Sequence, residues 1–229
     1  MKDALSLLTT IGRRGGGLSA RALPWFPIVG LGLGALLGGW WWLAERWWPV
    51  AVAAVLVVLA DLALTGMLHV DGLADSADGL LPHASPAQRL TIMKTPDVGA
   101  FGVVAVCITL VARTLALASR PVSIALLAAL WCASRAFVAS VPAFVPYARD
   151  EGMARPLLAG APRWPVVAVV PAAFLAGWVG AAAVAAAVAA AALVIALAWS
   201  RIGGFTGDVL GAAIVVAETV GLVVAAANW

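Results

Sequence analysis

The sequence predicts an all-α fold: a polytopic membrane helix bundle of about seven transmembrane helices, forming a single integral membrane domain over residues 1–229. Three observations predict it. Hydrophobic residues make up 64% of the chain and charged residues 11%, against roughly 25% charged in an ordinary soluble domain. Mean hydropathy is +1.04. The apolar residues also gather into runs of about 20, the length a helix needs to cross the hydrocarbon core. No nucleic-acid partner is expected: the pI of ≈ 9.4 does not suggest one, because the basic residues behind it are spread over short loops.

The elements follow in order. Ala4 to Ile11 is apolar but too short for a signal core, and Arg13, Arg14 and Arg21 follow it. It reads as a short helix on the membrane surface, within an interfacial N-terminal segment 1–22. Spans are expected at Leu23–Leu43, Pro49–Leu68, Ala100–Ser119, Pro121–Ser140 and Val209–Asn228. Between the first two, WWWLAERWW (residues 40–48) has the composition of an interfacial aromatic belt. The Ala/Val-rich stretch Trp164–Trp199 is too long for one crossing at ~1.5 Å per residue. Splitting it near Gly177–Gly180 yields two short spans, whose small residues suit close helix packing. Cys107 and Cys132 fall inside apolar runs and read as small hydrophobes, not as a disulfide or metal ligands.

Orientation follows from Lys and Arg. With the N-terminus inside, the inner segments carry Lys2, Arg13, Arg14, Arg21, Arg89, Lys94, Arg149, Arg155, Arg163 and Arg201. The outer segments carry only Arg46 and Arg120, while Arg113 and Arg135 lie within spans. A multi-pass protein of the cell (inner/plasma) membrane is expected, with the lipid bilayer as partner and self-association into a homo-oligomer left open. Residues 69–99 and 201–208 then become active-site loops facing the cytoplasm.

The first of these loops opens with HVDGLADSADGL (residues 69–80). If it is helical, Asp71, Asp75 and Asp78 sit at about 0°, 40° and −20° around the axis and share one face. Two unit charges about 4 Å apart repel by about 4 kcal/mol at an effective dielectric near 20. A hard divalent ion such as Mg²⁺, held by carboxylates and keeping water or substrate phosphate, resolves that conflict. The alternative is a solvated acidic helix end paired with Arg89 and Lys94. His69, just before the acids, is a candidate to orient an aspartate or act as a base.

GGFTGD (residues 203–208) is the second candidate site. Gly203, Gly204, Thr206 and Gly207 precede the last span, where exposed N–H groups and the positive end of a helix suit phosphate. Asp208 is either an N-cap or a further metal ligand. Arg149 and Arg155, in the polar stretch Tyr147–Arg163, are candidates for phosphate binding or loop anchoring. Asp61, Arg113, Arg135 and Glu218 fall within spans, where such charges face the interior and pair. They serve either one another or a polyanionic substrate reaching into the bundle.

HVDGLADSADGL, IMKTPDVGAFG (residues 92–102), YARDEGM (147–153), GGFTGDVLGAAIVVAE (203–218) and LPWFPIVGLGLG (23–34) together resemble the membrane cobalamin synthase family. The resemblance covers nearly the whole chain. It implies an adenosylcobinamide-GDP ribazoletransferase: a hydroxyl of α-ribazole, or of its 5′-phosphate, attacks the cobinamide-side phosphorus of adenosylcobinamide-GDP. GMP leaves, completing the nucleotide loop late in vitamin B12 biosynthesis. It also implies Mg²⁺, with Asp71, Asp75, Asp78 and Asp208 as ligands. Asp75, Asp78 and His69 are the expected catalytic residues. Lys94, Arg89, Arg149, Arg155, Gly203, Gly204, Thr206 and Gly207 are the expected substrate-binding residues. Where the family reads roughly IMKDSRIGxFG, Thr95 replaces an acid and Asp97 an arginine, which leaves the cation there to Lys94 or Arg89 and makes Asp97 an alternative metal-facing acid.

Other membrane transferases on diphosphates use aspartate-rich sites too. A CDP-alcohol phosphotransferase expects Asp-Gly then Ala-Arg, and the Arg is missing here at that spacing. Polyprenyl-diphosphate enzymes carry two DxxxD-type clusters, whereas the second site here has one acid in a glycine loop. A transporter would spread its acids through the bilayer interior; most of these cluster at one rim.

Overall fold

Each of the five separate apolar runs is helical in the computed structural model, which describes residues 1–11, 19–121, 123–152 and 154–229. Arg13 and Arg14, counted above with the inner charges, lie outside the described residues. The helices are α1 (Lys2–Leu8), α2 (Phe26–Ala44), α3 (Val50–Thr65), α4 (Leu68–Leu80), α5 (Pro86–Ile92), α6 (Ala100–Ala118), α7 (Ile124–Ser140), α8 (Val169–Phe174), α9 (Gly177–Ile202) and α10 (Gly207–Ala225). By length and composition five of them, α2 counted with the 3₁₀ turn Ala20–Trp25 before it and α7 with the turn after it, can cross a membrane, and six if the bent pair α3–α4 counts as one crossing. The chain is a multi-pass membrane protein.

α7 and α10 form the centre and are mostly buried, whereas α6 turns most of its surface outward. α2 reaches α7 through Gly30, Gly34 and Gly38, one face at four-residue spacing. A Cβ on Gly38 would lie 2.7 Å from the Ile124 Cα, so only a bare backbone fits.

Four buried charges tie the middle together. Arg113 on α6 donates to Asp61 of α3 (2.8 Å) and to Glu218 (2.7 Å) and Thr219 (2.9 Å) of α10. Arg135 on α7 pairs with Glu218 and donates to Ser134 (3.0 Å), while the Trp131 Nε1–H donates to Asp61 (3.2 Å). A lone charge at a span centre costs about 2.5–3.5 kcal/mol; here two cations meet two anions. The four therefore serve one another, the first of the two roles the sequence left open.

Two breaks shape the rest. α3 and α4 meet at 90° across Gly66 and Met67, both left-handed (φ 60° and 59°). The Thr10 N–H donates to the Leu64 carbonyl (2.7 Å), fastening the end of the N-terminal segment to this bend. Ala4 and Leu8 are buried, so α1 packs into the protein as well as bordering its surface. The Trp164–Trp199 stretch breaks at Gly177 (φ 68°), close to the expected point. Its two parts are unequal. The first is the turn Trp164–Ala168 plus α8, shorter than a span, and the second is the 26-residue α9. The Ser140 hydroxyl accepts from the Val166 N–H (2.9 Å), fixing the start of the short part, and just beyond the break Trp178 packs edge-on against Trp229.

Candidate active site

α4 is helical through the whole acidic motif, so the start of the expected 69–99 loop is a helix and the condition for a shared acidic face is met. Its backbone touches α10 at two glycines. A Cβ on Gly72 would come within 2.7 Å of the Asp208 carbonyl oxygen, and one on Gly211 within 3.2 Å of the His69 Cα. That close approach sets the HVDGLADSADGL helix and the GGFTGD turn side by side at one rim of the bundle.

The GGFTGD turn is built from its own residues. Gly203 ends α9 in the left-handed region (φ 77°). Gly204 passes so close to the Pro146 carbonyl that no side chain fits. The Phe205 N–H donates to the Pro146 carbonyl (3.0 Å) and the Ala148 N–H to the Phe205 carbonyl (2.9 Å), an isolated bridge that docks the Tyr147–Arg149 segment here. Thr206, fully buried, caps α10 by accepting from the Val209 N–H (3.3 Å). Thr206 is thus the N-cap, and Asp208 keeps its carboxylate free for other partners. One is Arg149, at 3.0 Å.

A cavity of about 210 Å³ opens here, lined on its polar side by His69, Asp71, Tyr147, Arg149, Gly207 and Asp208. Leu7 and Leu8 of α1, Phe26, Val138, Leu157 and Ile214 supply apolar lining. Burial pushes the Tyr147 phenol above its ordinary pKa, opposed by the Arg149 charge. A second, more open cavity of about 290 Å³ is lined by Leu90, Lys94, Ala148, Arg149, Asp150 and Glu151. Arg149 belongs to both.

The remaining expected residues divide. Asp75 is half-buried in the field of Asp208, Asp71 and Asp78, with Arg149 as the cation in range. Asp78 turns toward α6: its carboxylate accepts from the Gly99 N–H (2.7 Å) and the Gly102 N–H (2.9 Å), where any Cβ would collide with it. Arg89 is not brought to the cavity. It is buried and donates to the Gly79 (2.9 Å), Leu80 (2.6 Å) and Ala84 (3.0 Å) carbonyls, closing the C-terminal end of α4. Arg155 is exposed in the turn Arg155–Leu157, and Asp97 is exposed outside both cavities. Nothing in the sequence pointed to the apolar wall from α1. The glycine pair of VGAFG, three residues apart across the start of a span, was the available sign of a helix start built around a carboxylate.

Carboxylate oxygens are the right donors for a hard divalent ion. Among the described residues, however, no three Asp, Glu, His or Cys side chains converge closely enough to enclose one. Two of the four expected ligands are already engaged: Asp78 with α6 and Asp208 with Arg149.

A model of the cobalamin-5-phosphate synthase family matches residues 1–226. Similar proteins named adenosylcobinamide-GDP ribazoletransferase include that of Alkalilimnicola ehrlichii, 42% identical over 214 residues, covering 89% of this chain and 83% of the relative. That of Ralstonia pickettii is 38% identical over 204 residues (84% and 79%). That of Chlorobaculum tepidum is 34% identical over 207 (83% and 80%). No solved structure matches. With a family match over almost its full length, and the family's two motifs meeting at one cavity, this chain belongs to the cobalamin-5-phosphate synthase family.

Proposed function

We propose that this chain is an adenosylcobinamide-GDP ribazoletransferase. It joins α-ribazole, or its 5′-phosphate, to adenosylcobinamide-GDP, releases GMP, and forms adenosylcobalamin or its 5′-phosphate. The observation that carries the proposal is the meeting of the acidic helix α4 with the GGFTGD turn around one cavity, backbone against backbone at Gly72 and Asp208. Phosphoryl transfer asks a protein mainly for positioning and charge neutralisation, and this rim supplies groups for both.

In this reading the acceptor hydroxyl lies near His69 and Asp71, one of which takes its proton as the new P–O bond forms. The bond from the same phosphorus to the GMP oxygen breaks. Arg149, between the two cavities, and Lys94 pair with the diphosphate of the donor. The N–H groups at the start of α10 face the same charge. Asp71 and Asp75, the two α4 acids not engaged elsewhere, are the carboxylates we assign to Mg²⁺, which when bound would offset the negative charge of the diphosphate. Asp78 acts as a positioning residue, seating α6 against α4. The site opens to the cytoplasm across the cell membrane, in line with the distribution of Lys and Arg.

The test supplies membranes containing the chain with adenosylcobinamide-GDP and α-ribazole, with and without Mg²⁺. GMP and a complete corrinoid are the expected products, in the Mg²⁺ arm only. Release of CMP from a CDP-alcohol, or of diphosphate from a polyprenyl donor, with no GMP, would overturn the assignment.

A further inference from the structure

The two cavities that share Arg149 differ in their walls. Leu8, Phe26, Val138 and Ile214 of the inner one come from α1, α2, α7 and α10, and Leu8, Phe26 and Ile214 are each almost fully buried. Its polar groups, among them His69, Asp71, Arg149 and Asp208, belong to α4, the 147–149 segment and the start of α10. The outer cavity is the reverse: four of its six lining residues, Lys94, Arg149, Asp150 and Glu151, are charged.

Size separates the substrates as well. The inner cavity, about 210 Å³, has room for a flat, uncharged two-ring base. A corrin macrocycle with its side chains is several times larger and stays outside. The apolar wall suits the carbon faces of a planar base, and the polar groups lining the rest of the cavity suit the ribose hydroxyls and the base's ring nitrogen.

We propose that the inner cavity is the acceptor subsite. It holds the aromatic base of α-ribazole against Leu8, Phe26 and Ile214 and turns the ribose hydroxyls toward His69, Asp71 and Asp208. The donor's diphosphate lies on the Lys94 side of Arg149, with the corrinoid at the rim. α1 then has a function in selecting the acceptor, and Leu8 is a specificity-determining residue. The assignment rests on the transferase reading above.

The experiment uses the full-length chain in membranes and varies each substrate in turn. Leu8→Trp and Ile214→Phe fill the cavity from two different helices. Each should raise KM for α-ribazole by about tenfold, the scale on which apolar pockets discriminate size, and leave KM for adenosylcobinamide-GDP unchanged. The donor's KM doubles as the check that the fold is intact. If the rise falls on the donor's KM, or on neither substrate, the assignment is overturned. Leu8→Ala decides the matter where the filled variants do not fold. It should shift preference toward an α-riboside of a larger base, and an unchanged preference counts against the subsite. Absence of GMP release by the unaltered chain would sink the transferase reading itself, whereas normal release with only the donor's KM displaced sinks this assignment alone.

Discussion

On α4, Asp75 and Asp78 are less than one turn apart, yet their carboxylates meet different surroundings. Asp78 accepts two backbone N–H groups at the start of α6, and Asp75 stands among other carboxylates with Arg149 in range. Asp78→Ala should therefore act on stability. The buried Gly102 N–H loses its partner, at a cost of about 1–3 kcal/mol, while the Gly99 N–H lies near the surface and can turn to water, so the change is read as a lowered Tm in detergent. Asp75→Asn should leave Tm and membrane insertion unchanged while lowering turnover by about 100-fold; near-normal GMP release would refute a role for Asp75. Arg149 bridges Asp208 (3.0 Å) and the Met93 carbonyl (3.3 Å). Arg149→Ala should raise the donor's KM by about tenfold or more, with only partial recovery in Arg149→Lys, since an ammonium lacks the planar fork. Equal KM values in the two variants would contradict that geometry.

The elements meet through small residues and paired charges. Gly204 lets the turn before α10 pass the Pro146 carbonyl, which allows the Pro146–Phe205 and Phe205–Ala148 hydrogen bonds. Gly204→Ala should separate these segments, carry Arg149 away from Asp208, and lower activity with little change in insertion. Protease sensitivity of the 147–157 segment reports the separation, and an unaltered digestion pattern would speak against it. Deeper in the bundle, Arg113 joins α3, α6 and α10. Arg113→Met leaves Asp61 and Glu218 short of a cation, and breaking such a buried pair costs about 3–5 kcal/mol. The expected result is loss of folded protein in a thermal-shift measurement in detergent; an unchanged Tm would mean the network is not structural.

For the whole molecule, the acidic helix, the GGFTGD turn and the 147–157 segment share one rim, while the Trp-rich turn after α2, where Arg46 stacks on Trp42, lines neither cavity. With Cys107 and Cys132 replaced by alanine, a cysteine at Asp150 should react with a membrane-impermeant thiol reagent only in inside-out vesicles. One at Trp47 should react only in right-side-out vesicles. The opposite pattern would invert the orientation inferred from Lys and Arg. Of the two short spans expected between Trp164 and Trp199, only the second is long enough to cross, because the turn at Gly177 leaves α9 with 26 residues and its predecessor with too few.

Helix positions, the membrane class and the family motifs were determined by the sequence alone. A run of about 20 apolar residues is a local property, and so is a three-acid face at i, i+4 and i+7. The break near Gly177 was legible for the same reason. Only the tertiary structure decided which of those acids faces the cavity and which caps a neighbouring helix. It alone put Arg89 on the α4 carbonyls instead of at the site, and it alone brought α1 to the cavity wall. A carboxylate takes the N–H groups that packing puts within reach, and those of Gly99 and Gly102 lie more than twenty residues along the chain, where no local periodicity could have marked them.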